Sequence, residues 1–472
     1  MLSALAGLAF ACLATLAGAQ VPNPTVSGPI ASTAIPGHTS RDYVFFASDH
    51  PLAVNGYIEE EYFIEGTANR YTTSGTSTGT VLDSGHPYKT RIVVRRPADD
   101  KKFNGTVLVE WVNVTNGFDA ENFWFFAWEH VLRAGYAWVG VSAQRVGVDR
   151  LKTWSPARYG TLDVTKAGTI TNDALSYDIF MQAGQAVRSN PAVLGGLRPK
   201  TVLATGESQS AQRLATFVNA IMPLGNVYDG AILLSNFGQA IRPDPVVPVW
   251  KLLFEWDVET GEAGVRMADS EKFHSWEIAG TAHVDHHLRL TREPLELRDL
   301  LVSSEANLAP TCTVPTIGSR VPNHFVVDAA IDHMVRWVRD GKRPPSAPRF
   351  QMEQNNPTQI ARNEFDLALG GIRLSQIAVP TAKNVGENTG GGACARWGYH
   401  MPFDVATLDS LYRSHGDYLE KVVRVTRDNL RKGYILKPDA LRTITEAMAA
   451  DVGRGSKQRF DFDRDRDFGR DD

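Results

Sequence analysis

The feature that most constrains this chain is the pentapeptide Gly206-Glu207-Ser208-Gln209-Ser210. It lies between a buried β-rich run, Thr201-Val202-Leu203-Ala204-Thr205, and a helix-periodic segment over 210–222 with Leu214, Phe217, Val218 and Ile221 on one face. A strand that turns abruptly into a helix forces its turn residue into strained backbone, and small neighbours such as Gly206 and Ser210 keep the adjoining elements from clashing. The same turn sets Ser208 at a helix N-terminus, where free N–H groups and the positive end of the helix dipole favour a developing oxyanion. The competing reading is a plain helix cap by Ser208 or Ser210.

Around this unit strands and helices alternate, which predicts an α/β fold with a mostly parallel central sheet flanked by helices on both faces. Strands are expected at 56–64, 88–94, 106–112, 138–142, 201–205, 231–234, 248–254 and 273–279, and helices at 121–133, 173–188 and 210–222. A further amphipathic helix carries Val327, Ala330, Ile331, Met334 and Val338 and is closed by Gly341, with Pro344-Pro345 beyond. This gives a core over 20–345, opened by an extended arm to about Ser40 that shows no strand pattern. A C-terminal extension over 346–455 follows, with a Gly-rich stretch at 386–392 and helices at 407–416 and 439–452. The mixed-charge tail at 456–472 has no core pattern and is expected to be disordered.

Hydrophobic residues at 43% and charged residues at 22% suit a chain with a large core. A net charge of -4, with its 49 basic residues scattered, argues against a nucleic-acid partner. The first stretch is apolar and ends in Ala17-Gly18-Ala19, the pattern of a signal peptide over 1–19 cleaved before Gln20, although a basic start is missing. The chain is therefore expected outside the cell, or in the periplasm of a bacterium, with no membrane span after cleavage. Only Cys312 and Cys394 follow that segment, and in an oxidising compartment they are expected to form a disulfide. It would pin the extension to the core near Pro344-Pro345, away from the catalytic candidates. Asn104-Gly105-Thr106 and Asn113-Val114-Thr115 are glycosylation sequons.

A serine hydroxyl needs a general base near neutral pH. The run 273–279 leads into Gly280-Thr281-Ala282-His283, which puts His283 on a loop leaving the sheet; His286 and His287 are its neighbours and rivals. In enzymes with this turn the acid falls between serine and histidine in chain order, and Glu255 and Asp257 close the 248–254 strand. One of the two is expected to orient the histidine, and the other to serve as a salt-bridge or supporting group. Oxyanion donors are expected from the N–H of Gln209 and from the 113–117 loop, by Val114 or by the Asn113 side chain. Adjacent histidines lack the i, i+4 spacing of a helical metal pair, so neither metal nor cofactor is expected.

Together, 109–115, 140–144, 206–211 and 280–283 (VEWVNVT, GVSAQ, GESQSA and GTAH) resemble a little-characterised family of α/β-hydrolase domain proteins, some of them esterases, from about residue 45 through the Trp337 helix. The resemblance implies an α/β-hydrolase fold and a Ser208, His283 and acid triad. Its Gly-Glu-x-Asp-like segment aligns with Phe254-Glu255-Trp256-Asp257 and so favours Asp257 over Glu255. It implies a serine hydrolase acting on a small-molecule carboxylic ester through an acyl-enzyme. A peptidase or amidase of the same fold is one alternative, and a silent secreted recognition protein is another.

Overall fold

The computed structural model describes residues 20–454; the expected signal segment and the mixed-charge tail lie outside the described residues. A nine-stranded sheet runs in the order β1-β2-β3-β5-β4-β6-β7-β8-β9. Its strands are β1 (Thr25–Ser27), β2 (Tyr57–Tyr71), β3 (Val81–Pro97), β4 (Thr106–Trp111), β5 (Ala137–Val141), β6 (Thr201–Glu207), β7 (Gly230–Leu234), β8 (Val249–Leu253) and β9 (Phe273–Glu277). From β5 to β9 all neighbours are parallel, whereas β1, β2, β3 and β5 pair antiparallel. The parallel strands are buried along their whole length, as expected where helices cover both faces.

Adjacent residues of β4 point to those two faces. The Glu110 carboxylate accepts from the N–H groups of Phe123 and Trp124 in the helix Asn122–Ala134, at 2.8 and 3.0 Å. Trp111 stacks instead on Phe180, 4.7 Å away, and meets Phe217 edge-on. The helices Ser176–Ser189 and Gln209–Thr216 therefore cover the face opposite Asn122–Ala134, which packs with Asn323–Asp340. The helix expected over 210–222 stays α-helical only to Thr216 and closes in a wider π turn, Phe217–Ile221.

The element pattern departs from expectation in three places. The N-terminal arm is not patternless: Thr25–Ser27 pairs with Phe63 to Glu65 and forms the sheet edge. The helix expected at 407–416 is two elements, Val405–Leu411 and an eighteen-residue helix His415–Lys432. The second escapes notice because Thr426 and Asn429 sit among Tyr418 and Val422 on its buried stripe. The helix Arg145–Trp154 was not expected at all; its apolar positions are few, and it is anchored by Val148, Leu151 and Trp154. Residues 346–454 also contribute Phe350, Leu367, Ile372, Leu374 and Ile435 to the main core, while Tyr412, Tyr418 and Val422 belong to a separate small cluster.

Cys312 and Cys394 are joined as a disulfide, with their Cα atoms 5.5 Å apart. It ties 309–313 to 389–394, where Thr313 N–H donates to Thr389 O at 2.8 Å. The expected anchor point near Pro344-Pro345 is incorrect: Pro345 O instead accepts from Trp276 Nε1 on β9 at 2.9 Å. Among the described residues no helix is long and apolar enough to cross a membrane.

Candidate active site

β6 lies between β4 and β7 and ends at Glu207. Ser208 then takes φ 55° and ψ -120°, the turn helix Gln209–Thr216 begins, and Ser208 N–H stays bonded to Leu234 O of β7 at 3.0 Å. Backbone of this kind costs on the order of 1–3 kcal/mol and persists only where the surroundings impose it. The imposition is local. A Cβ on Gly206 would stand 3.1 Å from the Ser210 backbone, which explains the glycine. Ser210, buried and standing where a second glycine was expected, accepts from Glu207 N–H at 3.0 Å and donates to Glu207 O at 2.9 Å.

His283 sits on the loop after β9 and meets the turn serine, with Nε2 2.7 Å from Ser208 Oγ. Its Nδ1 lies 2.7 Å from Asp257 Oδ1. Asp257 is buried, and its other oxygen accepts from Ser235 Oγ at 2.6 Å and Phe254 N–H at 2.8 Å. Trp256 and Phe237 stand edge-on to the imidazole, 4.7 and 6.0 Å between centroids, and shield it from water.

Glu255 is not at the imidazole. On an extended strand residues two apart share a face, but Glu255–Glu259 is a helical turn, on which residues two apart point in nearly opposite directions. The Glu255 carboxylate accepts from Gly280 N–H (2.5 Å), Gly386 N–H (2.9 Å) and Arg362 (2.9 Å), tying the His283 loop to the C-terminal region.

The expected oxyanion donors divide. Gln209 N–H opens its helix, and among the described residues no hydrogen bond takes it or the Val114 N–H. Asn113 does not fit its expected role, because its N–H donates to Ala120 O at 2.9 Å and its side-chain amide to Glu207 O and Oε2 at 3.0 and 3.2 Å. That amide is buried, so the second sequon presents no free acceptor. The Asn104 amide is likewise engaged, with Ala134 O at 2.9 Å. His286 and His287 point elsewhere: His286 contacts Arg289, and His287 stacks on His324 at 3.8 Å. Among the described residues no group of three or more His, Cys, Asp or Glu could hold a metal ion.

Two site residues were missed by sequence reasoning. Ser235, at the end of β7, lies 2.8 Å from His283 Nδ1 as well as on Asp257; a hydroxyl at the C-terminal end of a central parallel strand was the available signal. Glu207 Oε1 lies 3.6 Å from His283 Nε2, and Oε2 accepts from Asn122 at 2.7 Å. Burial pushes the Glu207 carboxyl above its ordinary range, with His283 opposing.

Ser208, 8% exposed, opens into a cavity of about 270 Å³. One wall carries Asn113, Thr115, Asn122 and Glu207; the other carries Leu308, Ala393, Arg396 and Trp397. The disulfide, expected far from these residues, is in fact beside them, since Cys394 opens the turn Cys394–Trp397.

A mostly parallel sheet with helices on both faces and a strained serine turn at the end of a central strand defines the class as an α/β hydrolase. The alpha/beta hydrolase domain family matches residues 26–445, and the chain belongs to that family. No curated protein matches it. Among solved structures it is similar to esterase Est22, at 12% identity over 53% of this chain and 80% of that one, with a TM-score of 0.30. It is similar also to XC6422 from Xanthomonas campestris, described as an a/b serine hydrolase without lid (14% identity, 49% of this chain, 93% of that one, TM-score 0.28). A PNB esterase is matched at 17% identity over 32% of this chain, which spans 30% of that esterase's length, with a TM-score of 0.23.

Proposed function

We propose that this chain hydrolyses small carboxylic esters through an acyl-enzyme on Ser208. The observation that carries the reading is the continuous contact from Ser208 Oγ to His283 Nε2 and from Nδ1 to Asp257, at 2.7 Å each, opening into a cavity. With Nδ1–H donated to Asp257, Nε2 is left to accept the serine proton as Oγ attacks the ester carbonyl. The oxyanion is held by the N–H groups of Gln209 and Val114, each donor of this kind supporting about 10²–10³ in rate. His283 then passes its proton to the leaving alcohol. Water, deprotonated by the same imidazole, releases the acid. Asp257 keeps the ring oriented and stabilises its charged form. The Cys312–Cys394 disulfide supports a place in an oxidising compartment, outside the cell or in a periplasm.

The test is a panel of p-nitrophenyl esters of increasing acyl length with the wild type and Ser208→Ala. Turnover of short esters that falls by roughly three or more orders of magnitude in Ser208→Ala is expected. Equal turnover by the variant would overturn the reading.

A further inference from the structure

Three charged side chains line the cavity at Ser208: Glu207, Arg292 and Arg396. Two are already matched inside the protein. Glu207 accepts from the amides of Asn113 and Asn122. Arg292 lies 2.8 Å from the Glu296 carboxylate and its guanidinium stands 6.0 Å over the Trp397 ring. Arg396 differs. It is half-buried, and among the described residues its guanidinium has no ion pair and no hydrogen bond. A guanidinium drawn partly out of water without a counter-charge is unfavourable unless something that enters the cavity supplies one.

The backbone of Arg396 is fixed relative to the reacting atoms. Its carbonyl accepts from Val284 N–H at 2.8 Å, and Val284 is the next residue after His283. On its other side the turn Cys394–Trp397 is anchored through Cys394 to Cys312, behind Leu308 of the same wall. The backbone that carries the cation is thus tied to the base loop by one hydrogen bond and to the 308–312 segment of its own wall by a covalent bond. A guanidinium on such a backbone matches a planar carboxylate in a two-pronged contact.

We propose that Arg396 is a specificity-determining residue that binds a carboxylate on the substrate, so that the preferred esters are small anionic ones. This rests on the ester-hydrolase reading above. The carboxylate can belong to the alcohol portion or to the acyl portion, and the test separates the two. The alcohol-side pair is 4-acetoxybenzoate and its neutral isostere 4-acetoxybenzamide. The acyl-side pair is the mono-p-nitrophenyl ester of adipic acid and the same ester with its far carboxylate converted to a primary amide.

In the wild-type protein kcat/KM is expected to favour the carboxylate in one pair by roughly tenfold or more, and the preference should shrink as salt is raised. Arg396→Gln should collapse that ratio toward one, mainly through KM for the charged member, and Arg396→Lys should restore part of it. A purely structural role for Arg396 would lower both members together and leave the ratio intact. Wild-type protein that cleaves both members of both pairs equally well, or a ratio unchanged in Arg396→Gln, overturns the proposal alone. Protein that cleaves none of the four esters overturns the hydrolase reading and this proposal with it.

Discussion

Asp257 and Glu255 are two residues apart, both fully buried, and assigned to different work by their contacts, which makes their amide variants a crossed test. In Asp257→Asn the new amide has two orientations, and each is penalised. With its oxygen toward His283 Nδ1–H, its NH2 faces the Phe254 N–H that now donates to Oδ2 at 2.8 Å. With its NH2 toward Nδ1, it holds the ring in the tautomer whose Nε2 carries the proton and cannot accept another from Ser208. The expected loss in kcat is about 10³–10⁴, or ~4–5.5 kcal/mol of transition-state stabilisation. Glu255→Gln should behave the other way round. It removes the charge that faces Arg362 and two backbone N–H groups; because the Arg362 side chain is 19% exposed, the cost is set below that of a fully buried pair, at roughly 2–3 kcal/mol of stability. The assay is initial rate on a short p-nitrophenyl ester together with thermal unfolding of the same samples. Asp257→Asn should lose turnover with little change in Tm, and Glu255→Gln should lose Tm while its folded fraction keeps kcat within about tenfold. If Glu255→Gln is the variant that loses turnover, the reasoning is refuted.

Ser235→Ala removes the hydroxyl that donates to Asp257 at 2.6 Å, and should lower kcat about tenfold with KM unchanged, as read by steady-state kinetics. Asp285 caps the helix His286–Leu295 through Leu288 N–H, but its other oxygen has no partner and burial raises its pKa to about 7. The folded state therefore holds that proton more tightly than the unfolded chain, and stability is lost as pH rises from about 4 to about 7. Asp285→Asn keeps the cap and removes the titration, so it should match the wild type in denaturant midpoint near pH 4 and exceed it above pH 7, by up to about 4 kcal/mol at ~1.4 kcal/mol per pH unit. Replacing both cysteines by serine opens a loop of 82 residues, worth about 3–5 kcal/mol in the chain-entropy model, and should lower Tm. The same change should raise KM, because it frees the wall that carries Arg396 and Trp397.

What the sequence made legible was what hydrophobic period and punctuation encode. The parallel strands β4 to β9 are short runs rich in apolar and β-branched or aromatic residues, and Gly206 and Ser210 flank a serine that a strand-to-helix turn accommodates. Ser208 could be picked out because it follows a strand directly, and His283 because it stands on the loop that leaves the last strand. The residue pattern alone did not separate Glu255 from Asp257, and only the family resemblance favoured Asp257; the choice depends on whether 255–259 is extended or helical, and five residues with one tryptophan among three acids carry no period. Asn113 was assigned a role from its place in the loop, but its donors were taken by Ala120 and Glu207, partners seven and ninety-four positions away in the chain. Arg396 was invisible for a related reason. It reaches the cavity only because a disulfide and one hydrogen bond bring residues 394–397 beside His283, and no local pattern reports a contact closed over that distance.

The central claim is that Ser208, activated by His283, is a nucleophile toward an electrophilic acyl or phosphoryl centre. It is tested most directly by treating the folded protein with a fluorophosphonate and locating the adduct by peptide mass spectrometry. A single adduct is expected on the peptide containing Ser208, lost in Ser208→Ala and still formed in Ser210→Ala. An adduct on Ser210 or Ser235 in the wild type, or none on folded protein, would contradict the account.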